Sequence, residues 1–67
     1  MMPYYEVNLD TNRAVQEAAC GVACYEGRVE DDRFIGAHRG VVGTMEDAEK
    51  WLRGEDVPSL IQVYPMK

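Results

Sequence analysis

The chain has 67 residues, with twelve carboxylates against seven Lys/Arg, a net charge of −5 and a pI near 4.6. That length makes residues 1–67 a single domain near the lower end of what folds alone, and homodimerisation is a direct way for such a domain to share burial. The acidic balance repels nucleic acid and anionic membranes and attracts basic surfaces, so neither direct nucleic-acid binding nor membrane binding is expected.

No apolar run approaches the roughly 18 residues that span a bilayer. Met1-Met2-Pro3-Tyr4-Tyr5-Glu6 has no basic segment followed by an apolar stretch, which reads as no secretory signal. Two cysteines are too few for a disulfide scaffold. The expected location is the reducing cytoplasm.

In chain order, Tyr4 to Leu9 reads as a half-buried strand, with Tyr5, Val7 and Leu9 on one face and Tyr4, Glu6 and Asn8 on the other. Asp10-Thr11-Asn12 offers N-cap residues. Arg13 to Tyr25 reads as a small-residue helix, because Val15, Ala18, Ala19 and Val22 fall at helical spacing. Gly27 is its expected C-cap. Arg28-Val29-Glu30 and Arg33 to His38 read as the two strands of a hairpin that turns at Glu30-Asp31-Asp32. Gly36, Gly40 and Gly43 mark a bend, a bulge or a close backbone contact.

Thr44 with Asp47 three residues on starts a second helix, whose apolar face is Met45, Ala48, Trp51 and Leu52 and which Gly54 ends. Ser59 to Tyr64 reads as a last strand. The expected fold is therefore α+β: a small two-layer sandwich of ferredoxin-like βαββαβ order, with two helices on one face of a mostly antiparallel sheet.

Chemical signatures are sparse. Cys20 and Cys24 would share one face of the first helix and, with His38, would make three possible ligands, but the spacing is not that of a zinc site. They read as small side chains among alanines, so no metal and no cofactor are expected. The glycines fit neither nucleotide fingerprint. His38 has no evident nucleophile to serve, so no catalytic residue is assigned and the protein reads as not an enzyme.

The acidic side chains divide into two groups. Glu46 and Asp47 suit the first turn of the second helix, and Glu46–Lys50 and Glu49–Arg53 are favourable i,i+4 pairs. Glu30, Asp31, Asp32 and the pair Glu55-Asp56 have no such local account. They are the candidate partner-binding residues, with Tyr4 and Tyr64 as exposed aromatics on the sheet face away from the helices.

The profile of a small, acidic, single-domain chain without catalytic motifs resembles the anti-CRISPR and related anti-defence proteins of phages and mobile elements. That resemblance implies an inhibitor in the host cytoplasm that occupies a nucleic-acid-binding or protein-binding surface of a defence complex. Gly43-Thr44-Met45-Glu46-Asp47-Ala48 also resembles the strand-to-helix junction of antitoxins with a degenerate RNase H-like fold, which implies neutralisation of one basic partner. The expected function is a non-enzymatic inhibitor of a basic protein or ribonucleoprotein surface, plausibly an anti-CRISPR; the alternative is an antitoxin-like regulator. Carboxylates at Glu30, Asp31, Asp32, Glu55 and Asp56 would take the Lys/Arg donors that otherwise hold phosphates.

Overall fold

A computed structural model describes residues 5–62. Five strands and one helix follow in the order β1 (Tyr5–Asn8), β2 (Arg13–Ala18), β3 (Gly21–Glu30), β4 (Arg33–Val42), α1 (Met45–Leu52) and β5 (Ile61–Gln62). The strands form one antiparallel sheet whose spatial order equals their chain order. α1 packs on the β2, β3 and β4 side. This sheet-dominated meander, with α1 as the one helix among the described residues, overturns the expected two-helix α+β sandwich of ferredoxin-like βαββαβ order.

The difference arises between Arg13 and Tyr25. Instead of a helix, the segment is β2, a tight turn at Ala19-Cys20, and the first half of β3. Gly21 leaves that turn at φ +124, and a side chain there would run into the carbonyl of Val42. Val15 faces α1 from β2, as Val22 and Cys24 do from β3, each strand alternating with period two. The two-residue turn shifts the phase of that alternation, so Val15 and Val22 fall seven apart and imitate a helical stripe. Ala18 and Ala19, which completed the stripe, are exposed. Alanine's helix preference is a fraction of a kcal/mol over most residues and yields to strand pairing on both sides.

The core lies between α1 and the sheet: Val15, Val22, Cys24 and Val42 below, Ala48, Trp51 and Leu52 above, with Met45, Val57 and Leu60 closing its margin. Burying side chains of the Val and Leu class is worth about 1.5–3 kcal/mol each.

An eight-residue helix is unstable alone, and α1 is held at both ends. Thr44 is its N-cap, with Oγ1 accepting from the Asp47 amide at 3.2 Å. At the other end, Asn8 Nδ2 and Thr11 Oγ1 both donate to the Leu52 carbonyl, at 2.8 and 2.7 Å. The Trp51 indole donates to the Tyr25 carbonyl at 3.0 Å. Arg13 stacks over the Trp51 ring at 3.8 Å and donates to the carbonyls of Trp51 and Glu55. The Asp10-Thr11-Asn12 segment, expected to cap a following helix, thus serves the C-terminus of a distant one.

Candidate functional site

β3 and β4 are the long strands, and they outrun their neighbours. β2 pairs with β3 as far as Glu26, and among the described residues β5 meets β4 at Gly40 and Val41. The Gly27 amide makes the last bond to the neighbouring chain, donating to the Asn12 carbonyl at 2.8 Å. Beyond that point residues 28–35 form a two-stranded arm that pairs with no other described strand. Seven of its eight residues are exposed and Phe34 is half-buried.

The tip is a two-residue turn, Asp31-Asp32, between the paired Glu30 and Arg33. Both aspartates have left-handed backbone, at φ 51 and 63. That is the turn whose twist matches the strands, and Asp and Asn are the side-chain-bearing residues that tolerate it best. The acidic turn therefore has a conformational cause as well as an electrostatic consequence. Glu30 pairs with Arg28, Nε to Oε2 at 2.6 Å. Neither Asp31 nor Asp32 is ion-paired to a described residue.

The sequence-predicted acidic residues do not all meet. Glu30, Asp31 and Asp32 sit together at the arm tip. Glu55 and Asp56 are exposed in the loop after α1, with Glu55 paired to Arg53 at 2.8 Å. The Glu55 carbonyl is 3.3 Å from Arg13, which itself lies 3.7 Å from Glu26. Five residues of β3 separate Glu26 from Asp31, about 16 Å at the usual strand rise. Glu26 also pairs with Arg39 at 3.4 Å, so the ground between the two acidic groups is a lattice of alternating charge. In each acidic group one glutamate is paired, Glu30 to Arg28 and Glu55 to Arg53, while Asp31, Asp32 and Asp56 have no ion-pair partner among the described residues.

Tyr4 and Tyr64 lie outside the described residues. The aromatics away from α1 are Tyr5, Tyr25 and Phe34 instead. Directly paired residues share a face, so the register reads off that surface as rows. One row is Tyr5, Gln16, Ala23, Val41 and Ile61, one residue from each strand. The next is Val7, Ala14, Tyr25 and His38. Neither row contains an Asp, Glu, Lys or Arg. A groove of about 190 Å³ lies among Tyr5, Gln16, Tyr25, Phe34 and Gly36. Gly36 leaves room for the Phe34 ring, which a side chain at that position would strike. Sequence reasoning missed this face because half of it was assigned to a helix. The period-two alternation through Ala14, Gln16, Ala23 and Tyr25 carried the signal.

The cysteines are not a pair on a helix. Cys20 is exposed in the β2–β3 turn, and Cys24 is fully buried beneath α1. Burial pushes the Cys24 thiol from 9.0 up to about 11, against a weaker opposing pull from Arg13. A thiol so held is a poor nucleophile and a poor metal ligand at neutral pH. His38 stacks on Tyr25 with ring centroids 4.9 Å apart, on the opposite face of the sheet from Cys24. Among the described residues no three His, Cys, Asp or Glu side chains converge as a metal set. No described helix is long and apolar enough to cross a membrane. Comparison with family models, with curated proteins and with solved structures found no match to this chain.

Proposed function

We propose that the protein is a non-catalytic inhibitor that seats its β-arm in a basic groove of a protein or ribonucleoprotein complex and so excludes nucleic acid or a second partner from it. The observation that carries this reading is the arm itself. Residues 28–35 stand clear of the sheet body, and the tip presents Asp31 and Asp32 without a compensating cation among the described residues. A narrow two-stranded ribbon fits a groove shaped for a phosphate backbone, and carboxylates engage the same Lys/Arg donors. The small size and acidic balance that resemble anti-CRISPR proteins point the same way, with a guide-RNA effector complex as the partner.

The test removes charge and keeps the turn. In the variant Glu30→Gln, Asp31→Asn, Asp32→Asn, asparagine accepts the left-handed backbone as aspartate does, so melting temperature should hold or rise. Binding to the complex captured from host extract by the wild type should weaken through slower association. The wild-type interaction should also weaken from low to physiological salt, as exposed charges are screened over about 8–10 Å. Glu46→Gln with Glu49→Gln is the matched control and should leave binding unchanged. The reading fails if the arm variant binds as tightly as wild type at every salt concentration. Capture of a single toxin instead of a nucleic-acid-binding complex would replace the inhibitor with an antitoxin.

A further inference from the structure

The groove at the foot of the arm is lined by three aromatic residues, Tyr5, Tyr25 and Phe34, with Gln16 and Gly36 and no charged side chain. We infer that it seats one arginine side chain of the basic partner, the guanidinium lying against the rings and donating to the Gln16 carbonyl. The inference rests on the inhibitor reading for the source of that arginine, and on the groove alone for the chemistry.

The lining selects the occupant. Aromatic rings attract cations through the negative charge of their faces, and arginine is the cation that also stacks as a plate. Gln16 Oε1 accepts from the Tyr25 hydroxyl at 3.5 Å, the long limit of a hydrogen bond, and so keeps capacity for a donor. An aliphatic side chain would cover that carbonyl without giving it a proton, and a carboxylate would meet the negative ring faces. A guanidinium satisfies both the rings and the carbonyl. The volume of about 190 Å³ is below the roughly 300 Å³ at which small-molecule sites begin, so it suits the end of a single side chain.

The fold already holds one arginine by the same means. Arg13 lies 3.8 Å over the Trp51 ring and donates to the carbonyls of Trp51 and Glu55 at 3.2 and 3.3 Å. The groove repeats the combination of ring and carbonyl, and no described arginine fills it. Arg28 and Arg39 are held by Glu30 and Glu26. Arg33 adjoins Phe34 on β4 and therefore stands on the other face of the arm.

Charge completes the case. Asp32 is two residues from Phe34, about 7 Å at the usual strand rise and within the screening length of about 8–10 Å. Neither Asp31 nor Asp32 is ion-paired to a described residue, and the whole chain carries −5. That field concentrates cationic side chains beside the groove and repels anionic ones.

The test titrates the full chain with N-acetylarginine amide, N-acetylcitrulline amide and N-acetylnorleucine amide, read by two-dimensional NMR. Citrulline keeps the plane and the donors of arginine and lacks its charge; norleucine keeps only the stem. Arginine should shift the Gln16, Tyr25, Phe34 and Gly36 signals with a dissociation constant of about 1 mM. Citrulline should bind about 3- to 10-fold more weakly, and norleucine more weakly again. Phe34→Leu removes a ring and keeps an apolar side chain, so arginine should lose most of its advantage over citrulline. Gln16→Leu removes the acceptor and should weaken both. If Phe34→Leu does not fold, the three probes on wild type and Gln16→Leu decide.

Three results overturn the inference: no shift at the groove with arginine, citrulline or norleucine binding as tightly as arginine, or a folded Phe34→Leu that still prefers arginine as wild type does. On the captured complex, Phe34→Leu should speed dissociation and leave association unchanged, whereas the arm-charge variant slows association. If that charge variant binds as wild type while arginine still titrates the groove, the inhibitor reading falls and the site stands. A groove that ignores arginine ends this inference and leaves the inhibitor reading intact.

Discussion

Beneath α1 the sheet carries Val15, Val22, Cys24 and Val42, closed over by Trp51 and Leu52. One residue along each strand, the opposite face carries Gln16, Ala23, Tyr25 and Val41, and no described element lies over them. The covered face uses branched aliphatic side chains and one large ring, and its charges stand at the margin as Arg13, Glu26 and Arg39. The uncovered face uses alanine for its floor and aromatics for relief, and keeps charge off its rows. Strand alternation would allow a charged face wherever solvent is the neighbour, and on this acidic chain acids were the residues at hand. The contrast teaches that one sheet can build its two faces from different materials, aliphatic branches under α1 and small residues with aromatics opposite.

The sharpest break in that contrast is Trp51→Ala. It removes the ring from the core, the bond to the Tyr25 carbonyl and the support under Arg13. Loss of about 3–5 kcal/mol is expected, enough to unfold a domain this small, and thermal or urea unfolding reads it. Gln16→Ala, on the other face of β2, should move stability by less than about 0.5 kcal/mol.

The cysteines divide the same way. Cys24→Ser places a hydroxyl under α1 and should lose about 1–3 kcal/mol, whereas Cys20→Ser in the exposed turn should be nearly neutral. In native protein a thiol reagent should label Cys20 and reach Cys24 only on unfolding. Ionisation gives this a pH signature. The unfolded Cys24 thiol ionises near 9.0 and the folded one near 11. Its contribution is therefore complete below pH 9 and lost as pH rises towards 11. Urea midpoints across that interval should fall more steeply for wild type than for Cys24→Ala.

Smaller effects test the parts that hold the layers together. Thr44→Ala leaves the Asp47 amide without its cap and should lose about 1 kcal/mol, a drop of about 4–8 °C in melting temperature. The smallest change should have the opposite sign. Asp31→Asn with Asp32→Gly keeps the left-handed turn and removes two charges, so stability should rise by up to about 1 kcal/mol. A loss there would mean that the aspartates stabilise the arm through contacts and not through backbone preference.

Several elements are legible in the amino-acid order alone. Thr44, Asp47 and the stripe Met45, Ala48, Trp51, Leu52 mark a helix that the structure places at Met45–Leu52. Glu30-Asp31-Asp32 marks the turn at the tip of the β3–β4 hairpin. These signals are local: a cap bonds three residues away, a two-residue turn closes on itself, and an amphipathic period needs only its own element. The acidic candidates Glu30, Asp31 and Asp32 stand out for the same reason.

The segment from Arg13 to Tyr25 has no such local answer. Its alanines, one glycine and two valines satisfy a helix of period 3.6 and a hairpin of period two almost equally, because a two-residue turn shifts the phase of the second strand. The choice falls to partners remote in sequence. β1 pairs along one edge of β2 and β4 along one edge of β3, and the Trp51 indole bonds the Tyr25 carbonyl from above. The sequence by itself determined the charge, the capped helix and the turn at Asp31-Asp32, since each depends on neighbours within a few residues. Only the tertiary structure decided that Arg13–Tyr25 is sheet, that Cys20 and Cys24 part company, and that an aromatic face without charge lies opposite α1. Strand pairing and burial join residues tens of positions apart, and no window of sequence contains both members of such a pair.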